Sequence, residues 1–295
     1  MKQKAGYLYL LITFFIWGSL YVISKYALAS IPPVTVLLLR YIIAIVVLIP
    51  MLMKKGRKPV KREHIKYFLI IGLLGYFVSI AFQLIGTSLV DSSLASLINS
   101  INPITISIMA AIFLKEKLEC KKVISIALSV IGVYVILGTS GGSINYMGIG
   151  ASILSVILWS AASIAIRKVS DEYNPVQIAL YGMAIALILN IPASIAELSV
   201  KPCTFTIPAV LSVIYLGVVC TGVAHTLWNL SLQLLDASTC SMFYPLQPLT
   251  SALLGIVLLN EKITVDFVIG GSLILFGILI SVIKFKKKDV SLISE

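Results

Sequence analysis

The chain contains one block twice. Residues Asp91 to Leu118, DSSLASLINSINPITISIMAAIFLKEKL, return as Asp236 to Ile263, DASTCSMFYPLQPLTSALLGIVLLNEKI. Asp91, Ser93, Ser96, Pro103, Thr105, Leu114, Glu116 and Lys117 recur without a gap. Apolar identities carry little weight in so apolar a chain, but Asp, Pro and the Glu-Lys pair are scarce, so their common spacing marks an internal repeat. From Asp91 to Glu116 a helix rising about 1.5 Å per residue covers roughly 37 Å, slightly more than a hydrocarbon core of about 30 Å. Each copy is therefore read as one membrane crossing with an acid near each end.

The rest of the chain has the same character. It is 59% hydrophobic and 12% charged, with a mean hydropathy of +1.05, the composition of a polytopic membrane protein. The formal charge of +11 sits in short runs between apolar segments, the pattern of cytoplasmic loops facing anionic lipid rather than of a nucleic-acid surface. The four cysteines, Cys120, Cys203, Cys220 and Cys240, show neither ligand spacing nor a framework of pairs. No metal site, disulfide scaffold or cofactor is expected.

Crossings are expected at about 7–28, 34–53, 66–88, 91–114, 121–138, 147–168, 176–197, 208–232, 237–259 and 266–285, ten in all. The first ends in Ala27-Leu28-Ala29, which resembles a signal-peptidase site. Its Trp17 and Lys25 recur at the separation of Trp159 and Arg167, however, so it is read as a retained helix. Gly72 matches Gly217 and Gly132 matches Gly277 at the offset of Pro103 and Pro248. Pro33 and Pro50 match Pro175 and Pro192 at an offset smaller by three. The expected fold is thus an all-α membrane protein of two five-helix repeats, residues 1–142 and 143–295, forming one membrane domain. An odd number of helices per copy inverts the second relative to the first.

Loop charges test the inversion independently. With both termini cytoplasmic, the inner side carries Lys2, Lys4, the run from Lys54 to Lys66, Lys115, Lys117, Lys121, Lys122, Arg167, Lys168, Lys284 and Lys286 to Lys288. The outer side has Lys25, Lys201 and Lys262. The dense run after the second crossing shrinks to Lys201 after the seventh, and the uncharged exit of the fifth becomes a lysine cluster after the tenth. Equivalent loops therefore fall on opposite sides.

Within the membrane the prolines come first. Pro103 cannot donate to the carbonyl of Asn99, nor Pro248 to that of Tyr244, so both helices should kink at mid-depth and offer a free polar group to a cavity. Ser96, Asn99 and Pro103, like Ser241, Tyr244 and Pro248, are spaced three and then four apart, so each trio shares a helix face. Asn102 and Gln247 flank the kinks. Tyr76, Ser79, Gln83 and Thr87 form a second polar stripe, and Thr221, His225, Trp228 and Asn229 a third. Such side chains are costly to expose to lipid and should face inward. His225 is open to two readings, a packing residue or a proton relay. Arg40, whose counterpart is Gly182, should either snorkel to the outer interface or turn to the cavity and attract an anion. Trp17 with Tyr21, and Trp159 with Ser163, lie one turn apart near mid-helix and could wall the pathway. Asp91 and Asp236 read as helix N-caps, and Glu116-Lys117 and Glu261-Lys262 as solvated end pairs. No catalytic residue is assigned.

Together these features resemble the EamA-like branch of the drug/metabolite transporter superfamily: two five-helix halves, Trp17-Gly18 in the first helix, Arg40 in the second, mid-helix Pro103 before Leu114-x-Glu116, and Gly132 in the next helix. Trp159-Ser160 and Gly182 depart from that pattern in the second half. The resemblance implies a multi-pass protein of the cell membrane with a central cavity opening alternately to either side and exporting amino acids, related metabolites or drugs. Its partners would be membrane lipid, a small-molecule substrate and, in an ion-coupled mechanism, a proton or other ion. No Gly-rich phosphate loop with a following Lys is present, so ATP is not the direct energy source. A lipid-linked sugar flippase and a multidrug efflux pump are the alternatives within transport. An intramembrane enzyme would need a nucleophile–base or carboxylate cluster at one depth, and none is apparent.

Overall fold

The computed structural model describes residues 2–115, 124, 127, 128, 131, 132, 135, 145–262 and 264–282. Among these, all regular structure is helical. Eight helices are long and apolar enough to span a bilayer: α1 (Gln3–Leu28), α2 (Pro33–Lys55), α3 (Arg62–Leu89), α4 (Ser92–Leu114), α5 (Tyr146–Val169), α6 (Pro175–Leu198), α7 (Ile207–Leu234) and α8 (Ala237–Leu259). A further apolar helix, α9 (Val265–Val282), follows. The crossing expected at 121–138 lies largely outside the described residues. So do Lys2's side chain, Glu116, Lys117, Cys120, Lys121, Lys122 and the lysines from 284 onward.

Helix starts follow local chemistry. Pro33, Pro175 and Pro208 occupy first-turn positions, where a missing N–H costs nothing. Asn145 and Asn174 cap α5 and α6 by accepting from Gly148 N and Val176 N, both at 3.0 Å.

Equivalent helices of the two halves run antiparallel. At one end of the α2–α6 pair, Thr35 N and Oγ1 donate to Glu197 Oε2 at 2.9 and 3.2 Å. At the other, Lys58 N donates to Gln177 Oε1 at 3.0 Å. The end of α8 meets the start of α4 through Glu261, while the start of α8 packs on the second half of α4. Close approaches obey the same two-fold relation. A Cβ on Gly72 would lie 2.6 Å from Ile185 and 3.0 Å from the carbonyl of Gly182. One on Gly217 would lie 2.7 Å from Ile43 and 3.2 Å from the carbonyl of Arg40. Small residues at these crossings let backbones touch where lipid supplies no hydrophobic drive.

The proline-bearing helices break as expected. In α4 regular structure stops at Asn99 and resumes at Asn102, and in α8 it stops at Ser241 and resumes at Leu246, where Pro245 adds to Pro248. The freed carbonyls are not left open, which corrects the expectation of two free polar groups. Asn99 O accepts from Asn102 Nδ2 at 2.9 Å, and Tyr244 O accepts from Gln247 N at 2.9 Å in a tightened turn.

Three features escaped the sequence. Ile70–Ser79 in α3 and Leu216–Val223 in α7 are π-helical at equivalent positions. Asp91 and Asp236 stand at N-cap positions without making a side-chain cap bond. The cap on α4 comes instead from Glu261, which is therefore not a solvated end pair. Its Oε1 accepts from Ser92 N (2.9 Å) and Ser92 Oγ (2.5 Å), and its Oε2 from Ser93 N (3.3 Å) and Ser93 Oγ (2.5 Å). Asn260, left-handed at φ 54, turns the chain so that this carboxylate reaches back over Gly255. Lys115, its counterpart, is left-handed too, at φ 58.

Candidate substrate cavity

Where the two halves meet, α1, α3, α4, α5, α7 and α8 surround a central cavity faced by Trp17, Leu20, Ser79, Ile80, Gln83, Asn99, Ser155, Trp159, His225, Tyr244 and Gln247. The space open to the centre of a water molecule is about 20 Å³, room for about one water.

Its aromatic wall forms because equivalent residues on α1 and α5 converge. Trp17 and Trp159 meet edge to face, centroids 5.9 Å apart at 83°, a favoured arrangement of ring quadrupoles. His225 packs on both, at 5.2 and 5.4 Å. Tyr76 stands behind, 5.8 Å from Trp159 and 5.1 Å from His225. Phe14 and Trp228 extend the cluster on the other side of Trp17.

The polar wall is a ladder of amides and hydroxyls across the repeat boundary. Ser160 Oγ donates to Asn102 Oδ1 (3.2 Å), Asn102 Nδ2 to Asn99 Oδ1 (2.7 Å), and Asn99 Nδ2 to Gln247 Oε1 (2.8 Å). Trp159 Nε1 donates to the Tyr244 hydroxyl at 2.8 Å and Gln83 Nε2 to the Tyr21 hydroxyl at 2.9 Å. The departure from Trp-Gly in the second half fits this ladder. Gly18 admits Thr250, whose Cβ would lie 2.5 Å from an added Cβ, whereas Ser160 uses its hydroxyl to engage Thr105 at 2.5 Å as well as Asn102.

The π-helical turns orient α3 and α7. Thr221 Oγ1 donates five residues back to Leu216 O at 2.7 Å, and His225 Nδ1 lies 3.1 Å from both Cys220 O and Thr221 O. Both partners of Nδ1 are carbonyls, so that nitrogen carries the hydrogen and Nε2 is left as an acceptor. Wide turns of this kind occur at functional sites because they expose carbonyls for side chains to claim.

Of the residues singled out in the sequence, Trp17, Ser79, Gln83, Asn99, Trp159, His225, Tyr244 and Gln247 face the cavity. Tyr21, Tyr76, Asn102 and Trp228 stand one layer behind. Ser96 and Ser163 bond to their own helices, at Ser93 O and Trp159 O. Pro103 and Pro248 are buried and make the breaks without facing the cavity. Asn229 Nδ2 donates to Pro175 O at 3.1 Å. Arg40 is fully buried, which excludes snorkelling, and it stands behind the cavity wall rather than among the residues that face it. Leu20, Ile80 and Ser155 were missed. Leu20 and Ser155 lie three and four residues from Trp17 and Trp159, so extending each tryptophan's helix face by one turn finds them.

Long apolar helices packed around a central cavity define a multi-pass integral membrane protein. The EamA-like transporter family matches residues 4–138 and again 146–283, and the chain belongs to that family. It is 29% identical over 278 residues to an uncharacterized transporter of Archaeoglobus fulgidus, covering 93% of this chain and 98% of that one. It is 24% identical over 282 residues to the uncharacterized transporter YoaV of Bacillus subtilis, covering 93% and 96%. A solved crystal structure shares the fold with a TM-score of 0.72 at 20% identity, covering 95% of this chain and 96% of that chain. The protein is thus a membrane transporter of the cell membrane.

Proposed function

We propose that the protein is a secondary transporter that exports small amphipathic or zwitterionic metabolites, amino acids among them, by alternating access. The observation that carries this reading is the central cavity, lined by residues of both halves at the level of the paired helix breaks. The proposed architecture is ten crossings in two inverted repeats, residues 1–142 and 143–295, with both termini cytoplasmic. Antiparallel equivalent helices and the lysine distribution support it. Inverted halves give two conformations of similar energy, each the mirror in function of the other, so rocking one against the other opens the cavity to alternate sides.

Room for about one water means that this conformation holds the cavity closed around its centre, and a solute requires the walls to part. The walls offer aromatic faces for an apolar body, with Asn99, Gln247 and Tyr244 for polar groups. A lining drawn from six helices of both halves favours a small solute over a lipid-linked sugar, which needs a lateral opening between helices. Purified protein in liposomes should give saturable flux of at least one amino acid or amphipathic metabolite, and cells overproducing it should accumulate less of that solute. Absence of saturable flux across amino acids, nucleosides and hydrophobic cations would overturn the reading.

A further inference from the structure

Among the described residues, Arg40 has no ion-pair partner. Its side chain is fully buried in α2, and Nε donates to Thr221 Oγ1 at 3.0 Å. Nη1 and Nη2 are buried without a hydrogen-bond partner among the described residues. Among the described residues, the titratable groups that act on the guanidinium are Tyr21, Tyr41, Cys220 and His225, none of them a carboxylate. Tyr41 donates its hydroxyl hydrogen to the carbonyl of Tyr76, and its oxygen accepts no hydrogen bond from Nη1 or Nη2. A buried cation with two open donors is costly in a membrane protein unless something pays for it, and such residues mark ligand or ion pathways.

The two-fold relation makes the oddity sharper. Arg40 and Thr221 correspond to Gly182 and Tyr76 in the other half. There the tyrosine ring fills the space, its Cδ2 and Cε2 2.7 Å from where a Cβ on Gly182 would lie. The same two-helix crossing is thus packed by an aromatic ring on one side and by a lone guanidinium on the other. Filling space alone would not require a charge there. His225, which faces the cavity, packs on Tyr76 at 5.1 Å and sets its Nδ1 3.1 Å from the carbonyl of Thr221, the residue whose hydroxyl holds Arg40.

We infer that Arg40 is an anion subsite of the central cavity and that the transported solute carries a carboxylate, which the open Nη1–Nη2 edge receives end-on as the cavity expands. Nε is held by Thr221, which fixes the guanidinium plane and leaves that edge presented. A paired N–H edge matches two carboxylate oxygens in a way a lysine ammonium does not. The aromatic walls receive the apolar body of the same solute. This inference deepens the transport reading and rests on it for the word transported, but its binding arm stands alone.

The test is thermal unfolding of the full-length protein in detergent, with benzoate and phenylalanine each set against its carboxamide, benzamide and phenylalaninamide. For the wild type the carboxylates should raise Tm and the amides should not. In Arg40→Gln the carboxylate shift should vanish, with apparent affinity at least about thirty-fold weaker, the loss expected when one partner of a buried charge pair is removed. Arg40→Lys should recover only part of it. Without ligand, Arg40→Met should unfold at or above the wild-type temperature, because it removes an unpaired buried charge. Equal shifts from acid and amide, no shift from either carboxylate, a carboxylate shift that survives in Arg40→Gln, or an Arg40→Met protein that unfolds well below wild type would each overturn the inference. Failure of the transport reading is a different result: a carboxylate shift that depends on Arg40 with no flux of any solute.

Discussion

Replacing Glu261 by Gln tests how the two halves are held together. The carboxylate accepts four hydrogen bonds from Ser92 and Ser93, two on each oxygen, and sits at the amino end of the first helical segment of α4. Glutamine keeps the volume but supplies one accepting oxygen. Two of the four donors would then face an NH2 group, itself a donor. Bonds to a charged acceptor contribute about 1.5–3 kcal/mol each against about 0.5–1.5 for neutral ones. A carboxylate at a helix amino terminus adds about 0.3–1 kcal/mol. The donors share one acceptor group, so the terms do not add fully, and the net loss should be about 2–4 kcal/mol. Thermal unfolding in detergent of the wild type, Glu261→Gln, the pair Ser92→Ala with Ser93→Ala, and the combined protein completes a cycle. The combined protein should be no more than slightly worse than Glu261→Gln, with a coupling of at least about 1 kcal/mol. Asp91→Asn, which removes an exposed carboxylate that makes no cap bond, should cost much less. Additive losses, or Asp91→Asn matching Glu261→Gln, would refute the reasoning and return the cap to Asp91.

Two further outcomes follow from other contacts. Gly18→Ala should lower the unfolding temperature by the equivalent of about 1–3 kcal/mol, since the new Cβ would lie 2.5 Å from Thr250 Cβ and 2.9 Å from Gln247 O, neither of which can swing away; an unchanged transition would mean that α1 and α8 are not in that contact. In the loops joining α2 to α3 and α5 to α6, Lys61 bonds Glu172 at 2.6 Å and holds its carboxyl below the usual carboxylate value. A lowered folded-state value means the contact is complete at neutral pH and lost only as pH falls through it. Both side chains are about half exposed, so Glu172→Gln and about 0.5 M salt at neutral pH should produce the same modest rise in amide exchange over residues 58–64, without adding to each other.

Much of the architecture was legible because membranes leave few choices. An apolar run of some twenty residues in lipid has to satisfy its backbone internally, so hydropathy alone located α1 to α8 to within a few residues. The duplicated Asp91 and Asp236 blocks predicted two equivalent broken helices, and Trp17 and Trp159 were legible as wall residues of the pathway, while their contact with each other came only from the structure. The π-helical turns were not legible, since no local residue pattern encodes a widened turn; they fall where Gly72 and Gly217 make close approaches to α6 and α2. The role of Glu261 was misread for a similar reason. Capping statistics concern the residue beside a helix start, and the cap here arrives from 169 residues away.

The sequence by itself determined that this chain is a duplicated, all-helical membrane protein and which helices carry polar faces, because the repeat spacing and the cost of polar groups in lipid act along the chain. Only the tertiary structure decided which polar groups face the cavity and which satisfy one another. It placed Asn99 on Gln247, gave the freed carbonyl of Asn99 to Asn102, and left Arg40 buried with two open donors. The first depends on which side chains meet between the halves, the second on how the broken turn of α4 folds back on itself, and the third on what the neighbouring helices bring to α2, so hydrogen-bond satisfaction here is a property of the assembled bundle.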